Sequence, residues 1–344
     1  MVTLLLSSFF LNLFGVFNLF GIKRDLVGYQ IAFFIIGLLI FFIARQIGLP
    51  FFRRNAKFFY WLFAFLLIIT FIVGIEVKGS KRWIDLYFFN FQPSEFFKVL
   101  FIVFLSDFFT RHHKNADEPL VFLKSIGYLL LPLIIIFKQP DFGNAMAFAF
   151  IYGVLLLFSR TPKKYLFYSL IVLIFVLPLG WFTLKDYQKT RITSFLNPQL
   201  DQRGINYNMT QAVITVGSGQ FFGRGLGYGT QSKLFFLPEN HTDFAFSSLI
   251  EQFGFVGGIS VLILYFIIIV HLVRKLSVYF RASDEDNRFN FFYVLGFFSY
   301  FIFQVFVNIG MNLGLLPITG IALPLISYGG SSLVSFMLGL ALIP

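Results

Sequence analysis

The chain has 344 residues, 58% of them hydrophobic and only 12% charged, with a mean hydropathy of +0.81 and a formal net charge of +11. Soluble domains carry about 25% charged residues, so this composition cannot cover a water-exposed surface and excludes a soluble globular protein. The absence of cysteine excludes disulfides, thiolate metal centres and thiol nucleophiles.

Apolar runs long enough to cross a bilayer fall at 3–21, 26–44, 57–75, 94–110, 119–137, 142–159, 165–184, 244–273, 290–309 and 331–344. They predict an all-α polytopic membrane protein of about ten transmembrane helices, forming one domain over residues 1–344. The first run lacks a basic n-region and a small-residue cleavage site, so it reads as a retained span. The last is short for a hydrocarbon core about 30 Å thick. A polar loop, 185–241, separates the seventh and eighth spans and is rich in Gly, Asn and Gln. Between the ninth and tenth spans, Met311–Gly330 is apolar but interrupted by Pro317, Gly320, Pro324 and Gly329. Backbone of that kind survives at membrane depth only where it is buried in protein or lines a cavity.

With the N-terminus inside, the short connections on the inner face carry thirteen Lys and Arg and those on the outer face six. The positive-inside bias therefore predicts cytoplasmic termini and an external 185–241 loop. The net positive charge is then topogenic, and nothing in the chain resembles a nucleic-acid-binding module.

Polar residues within or beside the spans are candidates for function, because charges in lipid are costly. Glu95 and Lys98 share a helix face at i, i+3, consistent with a functional pair or with mutual neutralisation. Lys138 and Asp141 flank Gln139–Pro140 at an outer turn, where the spacing predicts a structural salt bridge. The basic residues expected outside include Lys78, Lys81, Arg82, Lys138, Arg191, Arg203, Arg224 and Lys233, able to cradle a phosphate or to meet anionic membrane lipids. Arg191 stands out among them because it lies where the seventh span meets the loop. Asp243 sits at the seam where the loop ends and the eighth span begins, in Leu237–Phe246 (LPENHTDFAF). An acid at a water and lipid boundary is a candidate for proton transfer, and the alternative is helix capping by Thr242 or Asp243. On a straight helix Glu251 lies about 12 Å deeper and is turned about 80° away, which favours an interhelical hydrogen bond over a part in catalysis.

The four histidines show no metal-ligand spacing, and there is no Walker A sequence, GxSxG elbow or dinucleotide-binding fingerprint. Gly217–Gly229 (GSGQFFGRGLGYG) reads as flexible loop backbone with amides able to face a ligand.

The stretches QPSEFFKV, KQPDFGNA, FLNPQLD, NYNMTQAVITVGSGQFFGRGLGYGTQSKLFFLPENHTDFAF and GMNLGLLPITGIALPLISYGGSS together resemble the SEDS family of bacterial cell-wall proteins, over nearly the whole chain. Tyr207 with Asn208, the GTQS segment and GMNLGLLPITG are more similar to the elongation branch, RodA, than to the division branch, FtsW. The resemblance implies a glycosyltransferase of the cytoplasmic membrane that polymerises lipid II on its outer face and works with a class B penicillin-binding protein transpeptidase. The family's essential aspartate matches Asp243, in His241-Thr242-Asp243, while the acidic pair that often follows is Glu251 and Gln252 here. Such a reaction needs an apolar groove, cations for a pyrophosphate and a base for the attacking hydroxyl. Asp243 is the expected base, with Arg191 or a neighbouring cation, or a divalent metal ion, on the leaving pyrophosphate. Glu95, Lys98, Lys138, Arg203, Arg224, His241 and Thr242 complete the expected substrate-binding set. Two other classes share these features: a lipid II flippase or ion-coupled transporter, and a scaffold that only activates a partner.

Overall fold

The computed structural model describes residues 2–77, 80–86, 89–169, 205–281 and 284–344, with isolated positions between 171 and 193. Most of the predicted 165–184 span, from 170 onward, and most of the 185–204 stretch lie outside the described residues.

The other nine predicted spans each coincide with a helix. In chain order these are α1 (Val2–Ile22) and, after a 3-10 turn, α2 (Val27–Ile47), then a short α3 (Leu49–Arg54) and α4 (Ala56–Val73). A three-stranded antiparallel sheet follows, β1 (Ile75–Val77), β2 (Ser80–Asp85) and β3 (Asn90–Phe91), with Ile75 opposite Trp83 and Asp85 opposite Asn90. Then come α5 (Pro93–Arg111), α6 (Pro119–Lys138), α7 (Phe142–Phe158), α8 (Ile205–Ser218), a single turn α9 (Thr230–Lys233), α10 (Ala245–Phe280), α11 (Glu285–Asn312) and α12 (Gly330–Ala341). Proline occupies the first turn of α5 and α6, where a missing N–H costs nothing. Asp141 caps α7 by accepting from the Asn144 amide at 3.2 Å.

Burial runs opposite to a water-soluble fold. On α4, Phe65 and Ile72 point outward while Ala64, Leu67 and Thr70 point inward; six of the described helices have the length and hydropathy to cross a membrane. At the centre stands α5, buried along nearly its whole length against α4, α7, α11 and α12. That burial is how a helix carrying Glu95, Lys98 and Asp107 stays within a bilayer, since lipid cannot solvate those groups.

Two interruptions shape the functional end. Residues 313–329 form irregular backbone that is enclosed by protein over 321–327, with Leu323, Leu325 and Ile326 all buried, while Leu313 and Leu315 are exposed. Three of its free carbonyls are met by side chains from three helices: Asn12 donates to Leu325 O at 3.3 Å, Tyr265 to Pro324 O at 2.7 Å and Asn308 to Ile321 O at 2.7 Å; within the stretch, Ser327 Oγ accepts from the Leu323 amide at 2.9 Å. The second interruption lies within α10, where Gly254 has φ 69° and ψ −168° and breaks the helical ladder. The orphaned groups are taken over by the glycine-rich loop. Phe255 N donates to Gln220 O at 2.9 Å and Val256 N to Phe221 O at 3.2 Å, while Arg224 N and Gly225 N donate to Glu251 O and Gln252 O at 2.8 and 3.1 Å. The loop expected to offer amides to a ligand instead offers them to a broken helix, because unpaired backbone there has no water to turn to.

Candidate active site

A cavity of about 590 Å³ opens where the sheet, the start of α5, the start of α7, residues 241–243, the irregular stretch from Gly320 and the start of α12 meet. Asp243, Thr242 and His241 line it, together with Arg82, Gln92, Glu95, Asp141 and Asn144. Aromatic rings from α2 and the sheet, Tyr29, Phe33, Trp83 and Phe89, complete the lining with Tyr328. One cavity thus combines a carboxylate, a guanidinium and an aromatic flank.

The segment that delivers Asp243 is held carbonyl by carbonyl. Asn240 O accepts from Ser248 Oγ at 2.8 Å, His241 O from the Tyr328 amide at 2.8 Å, and Thr242 O from Ser327 Oγ at 2.6 Å. Asp243 O accepts from Asn308 Nδ2 at 3.1 Å and Asn312 Nδ2 at 3.0 Å, both reaching across from α11. Asn312 Oδ1 also accepts from the Ser247 amide at 2.9 Å, meeting a first-turn donor of α10. Four consecutive carbonyls are therefore pinned by three separate elements, the preorganisation a reacting group requires. The N-cap position of α10 falls on Phe244, which provides no side-chain cap, and Thr242 Oγ1 donates to Glu239 Oε2 at 3.0 Å. Gly320 lies close by: a Cβ there would stand 3.8 Å from Asp243 Oδ2.

On the wall built by β2, α5 and α7, polar groups form one chain. Arg82 donates through Nε to Gln139 O at 3.1 Å and through Nη2 to Pro140 O, with Nη1 3.7 Å from Asp141 Oδ1. Asp141 Oδ2 accepts from Asn144 Nδ2 at 2.9 Å and Gln92 Nε2 at 3.2 Å. Asn144 Oδ1 accepts from Lys98 Nζ at 2.7 Å, and Lys98 closes on Glu95 Oε1 at 2.8 Å. Lys98 is fully buried, with its ammonium 5.0 Å from the Tyr300 ring centre.

Of the residues expected from sequence, Asp243, His241, Thr242 and Glu95 share the cavity, and Lys98 lies just beneath it. Lys138 and Arg224 do not line it. Lys138 ends α6 exposed, and Asp141 pairs with Arg82 instead: Asp141 faces the first turn of α7 and the sheet, so the cation that reaches it comes from β2. Arg224 is exposed, its Nε donating to Ser218 O at 2.8 Å within the glycine-rich loop. Arg191 and Arg203 lie outside the described residues. Glu251 makes the interhelical hydrogen bonds expected of it, accepting from Ser218 Oγ at the end of α8 and from the Gln231 and Ser232 amides of the single turn α9. The site residues not singled out from the sequence are Gln92, Asn144, Asn308, Asn312 and Ser327. All but Asn308 lie within the stretches that carry the family resemblance, and Arg82 stood among the outer basic residues beside Trp83. Among the described residues no three His, Asp or Glu side chains converge as a metal-binding group.

Comparison with known proteins agrees with this geometry. The FtsW, RodA and SpoVE family, described as cell cycle proteins, matches residues 4–344. The probable peptidoglycan glycosyltransferase FtsW of Hydrogenovibrio crunogenus is 33% identical over 90% of this chain and 78% of its own length. That of Escherichia coli O157:H7 is 34% identical over 92% of this chain and 74% of its own. Among solved structures, a peptidoglycan synthase complex that coordinates polymerization and crosslinking contains a chain superposing with a TM-score of 0.81 at 27% identity, covering 100% of this chain and 96% of that one. The Thermus thermophilus rod shape determining protein RodA superposes with a TM-score of 0.70 at 25% identity, covering 99% and 94%. The chain belongs to the FtsW, RodA and SpoVE family, and it is a multi-pass membrane enzyme of the glycosyltransferase class.

Proposed function

We propose that this cavity polymerises lipid II into glycan strands and releases undecaprenyl pyrophosphate, with Asp243 as the general base. The observation that carries the reading is the convergence of Asp243, on a backbone pinned at four successive carbonyls, with Arg82 and an aromatic flank in one cavity. In the reaction Asp243 takes the proton of the acceptor 4-hydroxyl. The freed oxygen pair forms the bond to the anomeric carbon of the donor, and the carbon–oxygen bond to pyrophosphate breaks with inversion. Arg82 is the cation in the cavity that can meet the departing pyrophosphate; Arg191 and Arg203 remain part of the proposal from sequence. Lys98 spends two donors on Glu95 and Asn144, so we assign it to holding that wall. His241 and Thr242 border the acceptor side, and the aromatic flank suits an isoprenoid chain.

The orientation we propose has both termini in the cytoplasm and the cavity on the outer face of the cytoplasmic membrane. Its support is the clustering of Arg45, Arg53, Arg54 and Arg111 around a second cavity, lined at the opposite end of α5. A class B penicillin-binding protein is the proposed partner, in keeping with the crosslinking named for the synthase complex. Tyr207 and the Gly229–Ser232 segment favour the elongation branch, whereas the curated relatives above carry the division branch's name. The activity proposed is common to both, and complementation of elongation-defective against division-defective cells separates them.

The test is conversion of lipid II by the detergent-solubilised protein with its partner, where no two sides exist and transport has no meaning. Polymer digestible by a muramidase is expected. A folded, lipid-binding preparation that yields no polymer but moves lipid II between leaflets of proteoliposomes would replace this reading with the flippase.

A further inference from the structure

Eight residues beyond Asp243, the Glu251 carboxylate is completely buried and, among the described residues, no cation pairs with it. Its four contacts are all donors from the loop. Oε1 accepts from the Gln231 amide at 2.8 Å and Ser218 Oγ at 3.5 Å; Oε2 accepts from the Ser232 amide at 2.9 Å and Ser232 Oγ at 2.6 Å. A buried carboxylate is stable in such a place only while those donors stay in position. The line continues toward the cavity. Ser232 O accepts from Asn240 Nδ2 at 2.6 Å, Asn240 Oδ1 lies 3.2 Å from His241 Nδ1, and Asn240 O is held by Ser248 of the same helix at 2.8 Å. Ser232 and Asn240 are themselves buried. The helix segment 248–252 thus braces the loop from below, and the loop carries His241, Thr242 and Asp243 to the cavity wall.

We propose that Glu251 is a positioning residue for Asp243, acting through Ser232 and Asn240. The inference rests on the reading of Asp243 as the base. It also explains why a chain with glutamine at 252 keeps its carboxylate at 251. Gln252 needs both faces of an amide, donating to Asn18 Oδ1 at 2.6 Å while accepting from the Gly227 amide at 3.0 Å, whereas Glu251 meets only donors. An amide at 251 would turn an NH₂ group toward N–H donors and release part of the brace.

The experiment compares polymerisation rate, lipid II affinity and thermal unfolding for E251Q, N240A, the double variant, S232A and D243N. If Glu251 acts through Asn240, E251Q slows polymerisation about tenfold or more with affinity within about twofold of the parent, and the double variant is no slower than the slower single one. A purely structural role would instead lower affinity and unfolding temperature in step with rate. A parental rate in E251Q, additive losses, or a parallel fall in affinity each overturn the inference. Should E251Q not fold, S232A decides: about a threefold slower rate at unchanged affinity supports the line, and an unchanged rate removes it. D243N keeps the two readings apart. If it polymerises normally, the assignment of the base fails; if it is inactive while E251Q is normal, only the present inference fails.

Discussion

Lys98 and Glu95 lie one helical turn apart in the most buried helix, and each is the other's main compensation. Removing one partner leaves an unpaired charge in a low-dielectric site, which typically costs about 3–5 kcal/mol, whereas replacing both is far milder. K98M is therefore expected to unfold at markedly lower temperature, and the double variant E95Q/K98M to recover most of the loss; equal instability of both would mean that Lys98 does more than neutralise Glu95. Arg82 is the cation proposed to meet the pyrophosphate. R82A should weaken binding of a pyrophosphate-bearing lipid by about 1.5–3 kcal/mol and of a neutral analogue much less, as measured by titration in detergent. Equal losses would confine Arg82 to bracing Asp141. Asp243, the proposed base, and the Glu95–Lys98 pair were legible in the sequence because they are charges at conspicuous places, the first at the edge of an apolar run and the second within one. The partner of Asp141 was not. Lys138 is three residues away in the chain, but β2 brings Arg82 from 59 residues away, and only the sheet reveals which cation arrives.

The helices were equally legible, since ordinary spanning length and hydropathy mark them, but the break in α10 was hidden. Phe253–Gly258 (FGFVGG) is apolar on both sides of Gly254, and nothing in hydropathy distinguishes a continuous helix from two halves. What reveals the break is the conformation, which glycine alone adopts without strain, and the loop backbone lying against it. A Cβ at Gly254 would stand 2.3 Å from Gly223 N and 2.5 Å from Phe221 O. G254A is thus expected to cost at least about 1–3 kcal/mol from backbone strain alone, read as a fall in unfolding temperature together with faster proteolysis of the 218–229 loop. Unchanged stability would show that the loop does not depend on the break. The interrupted Met311–Gly330 stretch, by contrast, was expected to be enclosed by protein or to line a cavity, and from Gly320 onward it does both, while Leu313 and Leu315 are exposed. Of the asparagines that make this possible, Asn312 lies in the GMNLGLLPITG stretch, while Asn308 sits inside an apolar run with no motif around it.

For the whole molecule, orientation and chemistry are separable questions. The cysteine-free chain allows single reporters, and the structure selects them. Asn240 lies within the cavity segment but is buried, so the exposed Tyr228 is the better outer position, with exposed Asn115 for the opposite end. A membrane-impermeant maleimide should label Y228C in intact spheroplasts and N115C only after lysis; the reverse would turn the cavity toward the cytoplasm. The central claim concerns Asp243 itself. Asparagine preserves the shape of the side chain but cannot take a proton, and general base catalysis typically contributes about 10²–10⁴-fold. The direct measurement is the rate of glycan formation from lipid II by purified D243N and parent protein, each with its penicillin-binding partner, alongside lipid II binding and thermal unfolding. D243N is expected to bind lipid II and unfold like the parent with polymerisation reduced about 100-fold or more; a folded D243N retaining more than about 10% of the parental rate would contradict the assignment of Asp243 as the base.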